Sequence, residues 1–542
     1  MAVVEFPLGD LERLVGRPLS KKELEDTIPM MGCPLERAEA GRVWYEVFPD
    51  RPDMLSIEGF ARAVRIFLGG PIPGYEVVPG KIRLRVSPTV KQVRPCIAAA
   101  VVRDVRLTPE AVESIMQVQE KLHETLGRKR RKVAIGVHDL DNVKPPFTYK
   151  AAPPKSVSFV PLGKAGKMDL EEIGRKHEKG KAYVHIIGKS GLWPVITDAN
   201  GDVLSFPPVI NGELTKVTEK TRNLFIDVTG TNKLAVGQAL NIIATSLAER
   251  GFKLESVDVQ GCRTPDLAPT PMKLRRDYVN RLLDLGVTYG KISKLLARTG
   301  ISFDAKTGTA FVPAYRTDIM HEIDLVEDIA IAFGYGNFEP RIPKVPTISR
   351  RLGEEEKSKT LKDAMTGLGY QEVKTMILTN EESLFSRMHV RGKACKLANS
   401  VTAECTACRT WLLPSLMKVF AQNMHREYPQ SIFELDKCVV PDEKAETGAA
   451  TVGKVAAALS GNTAAYEEIS SSLAAFLGTL GVRFSLSPVD HGSFIKGRCA
   501  AILVSGKPIG TVGEVRPEVL VAWGLGKPVA AFEMETPGLK RE

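Results

Sequence analysis

The chain has 542 residues, 43% of them apolar and 25% charged, a balance ordinary for folded globular chains that excludes a largely disordered or low-complexity protein. One hydrophobic core cannot serve that length, so roughly three to five domains of about 100 to 200 residues are expected. A formal net charge of +10 permits a polyanionic partner without requiring one, because clustered Lys and Arg gain affinity by releasing phosphate counterions. No run approaches the roughly 18 apolar residues needed to span a bilayer, and "MAVVEFPLGDLERLV" lacks the basic start and long apolar centre of a signal peptide. No membrane and a cytoplasmic location are therefore expected. The eight cysteines are scattered rather than spaced as a disulfide scaffold, and read as reduced thiols.

Residues 1–85 read as a small α/β module. It ends in "RPDMLSIEGFARAVRIFLGG", where Met54, Ile57, Ala61 and Val64 recur at helical spacing and Gly69-Gly70 stops the helix. Residues 86–262 read as a larger α/β domain. Its strand candidates are the β-branched runs "CIAAAVVRDV", "KVAIGVHDL", "KAYVHIIG" and "LFIDVTGT", and helical patterns such as "LAVGQALNIIATSLAERG" fall between them. Between "AVESIMQVQEKLHETLG" and "VAIGVHDL" lies the basic run "GRKRRK", Gly127 to Lys132. A solvated turn and a phosphate contact account for it equally well.

Residues 263–345 open with the Pro-rich "RTPDLAPTPMKL" and continue into two short helices broken at Gly286 and ended at Gly300, a helix-turn-helix pattern. The second helix offers Lys291, Lys294 and Arg298, which suit phosphate better than base edges. A nucleic-acid-binding regulator is the competing reading this pattern supports. A second Pro-rich boundary, "EPRIPKVP", introduces a last α/β domain over 346–542 with strand candidates "SIFELDKCVV", "CAAILVSG" and "PVAAFEME".

Three strong catalytic signatures are missing: there is no GxxxxGK[ST] phosphate loop, no HExxH zinc helix and no GxSxG nucleophile elbow. Cys405 and Cys408 form one CxxC, but no second pair lies at zinc-finger spacing, so they read as two thiols facing from a helix. The acidic stretch "YRTDIMHEIDLVEDIAIAFGYGNFEP" says more. A helix starting near Ile323 puts Asp324, Glu327 and Asp328 at i, i+3 and i+4 on one face, with Asp318 able to fold back toward them. Such a cluster suits a hard divalent cation such as magnesium. It equally suits a helix start whose acids complement the macrodipole and face water.

That acidic stretch resembles the corresponding segment of the β subunit of phenylalanyl-tRNA synthetase in its archaeal and eukaryotic form. So do "RPDMLSIEGFARAVRIFLG", "RRKVAIGVHDLDNVKPPFTYKA", "GDVLSFPPVINGELTKVTEKTRNLFIDVTGT", "CRTWLLPSLMKVFAQN" and "GRCAAILVSGKPIGTVGEVRPEVLVAWGL", in that order along the chain. The resemblance implies a multidomain α/β and α+β protein: a small N-terminal module, an editing domain, a winged-helix-like module, and an antiparallel-sheet domain of the class II synthetase fold without an active site. "SIFELDKCVV" stands where a catalytic domain would carry its ATP-binding arginine motif. ATP and phenylalanine chemistry is then expected on an α subunit, in an (αβ)2 heterotetramer that binds tRNA-Phe.

The resemblance also implies two sites. Magnesium is expected at Asp318, Asp324, Glu327 and Asp328, in a structural role at the subunit contact; Glu322 is left out. Hydrolysis of misacylated tRNA, chiefly tyrosyl-tRNA, is expected in the editing domain. There Leu204 and Asn211 would line the pocket, Glu213 would read the tyrosine hydroxyl, Asp227 and Thr229 would sit near the scissile ester, and His138 would lie nearby. Gly212 stands where the family often has Ser. A free-standing editing hydrolase that works without an α chain is the remaining alternative.

Overall fold

The computed structural model describes residues 2–188, 191–343 and 345–536. The protein is a mixed α/β multidomain chain that divides into two compact units, residues 1–342 and 343–542. No helix among the described residues is long and apolar enough to cross a membrane.

The first unit begins with a three-stranded antiparallel sheet in the order Ala2–Pro7, Arg42–Val47, Leu35–Glu39. The helix Ile57–Phe67 comes next, started by Ser56, whose side chain accepts from Gly59 N. The same hydroxyl lies 3.0 Å from that of Ser246 on the helix Lys233–Ala248. One apolar core joins Phe6, Phe60 and Val64 of this module to Val102, Ile115, Ile226 and Leu240 of the larger α/β domain.

That larger domain is built on an eleven-stranded sheet, and two of its strands position the site. Leu224–Gly230 pairs antiparallel with Cys96–Arg103 on one side and with Val133–Asp139 on the other. Alternation along a strand sends successive side chains to opposite faces. Leu224, Ile226, Val228, Val133, Ile135 and Val137 pack beneath the helices Pro109–Glu124 and Lys233–Ala248, while Phe225 joins a second core with Phe147, Tyr149 and Leu204. Asp227, Thr229, Gly136 and His138 share the Phe225 side by the same parity. Val133–Asp139 and Ile210–Asn211 are the two ends of the strand order. The sheet curls enough that Asn211 Nδ2 donates to Val137 O at 3.4 Å.

One strand expectation fails. "KAYVHIIG" is helical, formed by Glu178–Tyr183 and a 3-10 turn over Val184–Ile187. His177 caps the helix through a bond from Lys179 N to Nδ1 at 3.1 Å. Only Ile187 of that turn is buried, so the β-branched run has no sheet face to cover and local capping decides.

The unit closes with the helices Arg276–Leu283 and Tyr289–Ala297, a three-stranded sheet, and the helix Glu322–Phe333. Leu295, Ile301, Leu325 and Ile329 form their shared core. Arg298, expected to face nucleic acid, instead lies 4.7 Å over the Phe67 ring.

The second unit is a seven-stranded sheet whose long strands, Gln430–Pro441, Ala449–Ser460, Val529–Glu535, Lys507–Val515 and Phe494–Val504, are antiparallel. Gly353–Gly367 and Tyr466–Thr479 cover one face, and Leu413–Gln422 and Pro517–Ala522 the other. Cys408 sits in the short strand Ala407–Cys408 rather than on a helix, and both members of the CxxC are free thiols.

Candidate functional site

A cavity of about 770 Å³ opens around the edge strand Val133–Asp139. Its walls come from Pro109–Glu124 (Gln119, Glu120, His123), from the Ser205–Val217 segment, and from Asp227 and Thr229 on the strand next to that edge. Asp227 is 1% exposed and His138 fully buried, with Nε2 2.7 Å from Asp227 Oδ1. The other ring nitrogen, Nδ1, lies 2.8 Å from Thr215 Oγ1, whose hydroxyl is also 3.3 Å from the Leu204 and Gly212 carbonyl oxygens. Thr229 Oγ1 in turn accepts from Arg94 Nε at 3.0 Å, which leaves the Thr229 hydroxyl proton to donate elsewhere. Arg94 is 2% exposed and, among the described residues, bonds to Thr229 and to Arg131 O but to no carboxylate; burial pushes its guanidinium down to about 10.

The close packing here depends on Gly136, which stands opposite Asp227 across the strand pair. A Cβ on it would meet Asp227 Oδ1 and lie 2.6 Å from His138 Nε2. Only the absence of a side chain lets the histidine and carboxylate meet.

Of the six expected residues, Asn211, Asp227 and Thr229 line the cavity, and His138 reaches it through Asp227. Leu204 does not line it. It is fully buried in the second core, at a register shift that leaves it without a ladder partner, since Val203 pairs with Thr197 and Ser205 with Ile196. Glu213 does not line it either. Its carboxylate accepts from Gly163 N at 2.6 Å and lies 3.4 Å from Lys216 Nζ; the Gly163 bond holds it below the usual carboxylate range. A Cβ at Gly212 would sit 2.8 Å from Val203 O, so a serine there would have to displace backbone.

Sequence reasoning missed Thr215, Arg94, Gly136, Ser205 and Arg130. The last belongs to the basic run, where Arg128, Lys129 and Arg130 have φ of 49°, 55° and 66° in succession. This left-handed turn folds Arg130 inward. It donates to Pro208 O, Val209 O and Glu120 at 3.2, 3.0 and 2.9 Å and lies 4.3 Å over the Tyr183 ring. Ser205 follows a register shift in its strand, and nothing in the sequence would have found that shift or the turn.

The acidic helix is arranged differently. Arg316, 5% exposed, donates to Asp318 at 2.7 Å and to Asp328 at 3.1 Å. Asp324 accepts from Met320 N and His321 N at 2.8 and 2.7 Å. Glu322 pairs with Arg275 at 2.7 Å, and Glu327 is exposed at the rim of a groove with Leu282, Leu283 and Ile323. The four expected magnesium ligands are not gathered, and no group of three or more metal-binding side chains occurs among the described residues. A guanidinium holds the place between Asp318 and Asp328 that a cation would need. As these side chains stand, the chain by itself does not fit the ion.

Family models match in sequence along the chain: the B3/4 domain over residues 89–259, the tRNA synthetase B5 domain over 272–335, and the phenylalanyl tRNA synthetase beta chain CLM domain over 339–536. The matched domains define a subunit of an aminoacyl-tRNA synthetase. The phenylalanine--tRNA ligase beta subunit of Pyrococcus horikoshii is 41% identical over 541 residues, covering 97% of each chain. That of Methanocaldococcus jannaschii is 41% identical over 549 residues, covering 99% of this chain and 100% of its own. A crystal structure of an N-terminal fragment of the phenylalanyl-tRNA synthetase beta subunit from P. horikoshii matches with a TM-score of 0.59 and 40% identity, over 61% of this chain and 99% of the fragment. The chain therefore belongs to the phenylalanine--tRNA ligase beta subunit family.

Proposed function

We propose that this chain assembles with an α subunit that carries phenylalanine activation and transfer, and that its own cavity binds and hydrolyses misacylated tRNA, chiefly tyrosyl-tRNA. The observation that carries the reading is the buried Thr215–His138–Asp227 chain ending in a cavity large enough for an aminoacyl group. His138 holds one carboxylate oxygen of Asp227, which leaves the other to accept a proton from water. The water oxygen bonds to the ester carbonyl carbon, and the Thr229 hydroxyl donates to the carbonyl oxygen as charge develops there. The carbon–oxygen bond to the terminal ribose then breaks. The ribose oxygen takes the proton back, releasing amino acid and intact tRNA.

The second unit, with an antiparallel sheet like that of class II synthetases, acts in this reading as a non-catalytic partner for the α chain. The modules over 1–85 and 263–345 frame the hydrolytic domain over 86–262. Magnesium at Asp318, Asp324, Glu327 and Asp328 requires Arg316 to release its carboxylates or the partner to supply ligands. Binding is then a property of the assembled (αβ)2 enzyme. Titration of magnesium calorimetrically into the isolated chain and into the assembly tests this: saturable binding by the isolated chain would reject it.

The hydrolytic reading is tested in the assembled enzyme with Asp227→Asn, following release of tyrosine from pre-charged tyrosyl-tRNA. Loss of release with charging by the α subunit retained supports the assignment. Unchanged release removes the cavity as the hydrolytic site.

A further inference from the structure

Ser205 is 2% exposed, lines the cavity, and its hydroxyl has no hydrogen-bond partner among the described residues. A buried hydroxyl left unpaired is destabilising, so its presence in this wall calls for a reason. Its neighbours supply one. Phe206, Pro207, Pro208, Val209 and Ile210 line the same cavity and are apolar. The carbonyls of Pro208 and Val209, which would otherwise offer competing acceptors, are already taken by Arg130. Arg130, 9% exposed, likewise lines the cavity with an Nε that is buried and unpartnered. The wall is thus an apolar surface with two polar side-chain atoms awaiting partners, which is the complement of an aromatic ring with a polar tip.

We propose that Ser205 is a specificity-determining residue of this cavity and takes the side-chain hydroxyl of the misattached amino acid, a phenol. The inference rests on the hydrolytic reading of the cavity and replaces Glu213, which does not line the cavity and whose carboxylate is already occupied by Gly163 N and Lys216. The phenol donates to Ser205 Oγ or accepts from it, and its ring lies on the apolar wall. A phenylalanyl group brings no partner and leaves the serine as it stands. A site that hydrogen-bonds a substrate hydroxyl discriminates against the analogue lacking it more strongly than an apolar pocket discriminates by shape.

The test compares deacylation of tyrosyl-tRNA and phenylalanyl-tRNA by the assembled enzyme carrying Ser205→Ala, Ser205→Cys or Asp227→Asn. Ser205→Ala is expected to lower the ratio of tyrosyl to phenylalanyl kcat/KM roughly tenfold, the scale of one neutral hydrogen bond. Ser205→Cys keeps nearly the same volume with a weaker donor and acceptor, and falls between. Removing an unpaired hydroxyl leaves the melting temperature unchanged or raised, so a ratio change is not a folding effect. A Ser205→Ala ratio equal to that of the parent, with Asp227→Asn inactive on both substrates, overturns the role of Ser205 and leaves the hydrolytic reading standing. Asp227→Asn at the parent rate on both substrates overturns the two together.

Discussion

The cavity and the acidic helix are both polar clusters buried in the first unit, yet they are built on opposite principles. Around Arg316 the charges close on one another: two carboxylates take its guanidinium, and Asp324 folds onto backbone N–H groups. Around Asp227 the cavity wall holds two buried polar atoms, Ser205 Oγ and Arg130 Nε, without a hydrogen-bond partner among the described residues, whereas the unbonded Asp328 Oδ2 lies 2.9 Å from Arg316. A dense run of charge in sequence can satisfy itself locally, and it then behaves as structure. Polar residues far apart in sequence and brought together by a sheet have no such local outlet, and some of them stay unpartnered in the wall.

If that contrast is right, substitutions in the two clusters fail in different ways. Asp227→Asn keeps the shape of the cavity but removes the proton acceptor. Deacylation by the assembled enzyme should fall about 10²–10⁴-fold, the usual contribution of a general base, with the thermal transition little changed. Arg316→Met does the reverse. It strands the Asp318 and Asp328 carboxylates, of which Asp328 is 4% exposed and already pushed upward by burial. Removing one partner of a buried ion pair costs about 3–5 kcal/mol, so calorimetry should show a lowered transition, and hydrogen exchange should rise along Glu322–Phe333. Intact stability in Arg316→Met would mean that the acidic helix is an open site after all.

Gly136→Ala probes the boundary between stability and activity. The added methyl meets Asp227 Oδ1 and His138 Nε2, and overpacking of this kind costs about 1–3 kcal/mol. Stability should drop by that modest amount, while deacylation drops further because the 2.7 Å pair is forced apart. Equal loss in both measurements would show that the pair is only a packing element.

The amphipathic and β-branched patterns made the main elements legible. Ile57–Phe67, Pro109–Glu124 and Lys233–Ala248 were readable as helices, and Cys96–Arg103, Val133–Asp139 and Leu224–Gly230 as strands. The family resemblance named Asp227, Thr229 and Asn211, and all three line the cavity. Leu204 was misplaced because it falls at a register shift, between the Val203–Thr197 and Ser205–Ile196 pairs, that no pattern in the sequence marks. Arg316 was overlooked although it stands two residues before Asp318, where a cation among five acids should have been paired first. The inward turn of Arg130 and the meeting of His138 with Thr215 were not legible. The first depends on three successive left-handed residues. The second joins segments 77 residues apart.

The smallest expected effect concerns His123, which lines the cavity at 2% exposure. Its Nε2 accepts from Ile135 N at 2.8 Å, and its Nδ1 lies 3.2 Å from Glu120 Oε2. The first bond requires a neutral ring, and burial pushes the imidazole below its ordinary value of 6.5. Glu120 responds oppositely: the hydrogen bond with His123, aided by Arg130, holds its carboxyl down at about 2, so it stays ionised throughout the histidine window. As pH falls below about 6.5, the unfolded chain takes up a proton at this position and the folded chain does not, so stability declines until the folded ring also protonates. His123→Gln retains an acceptor for Ile135 N and does not titrate. Unfolding midpoints measured from pH 7 downward should therefore fall less steeply for His123→Gln than for the parent. Parallel slopes would show that the cavity wall already tolerates a charged ring, and that its polar groups are less constrained than the Asp227 cluster beside them.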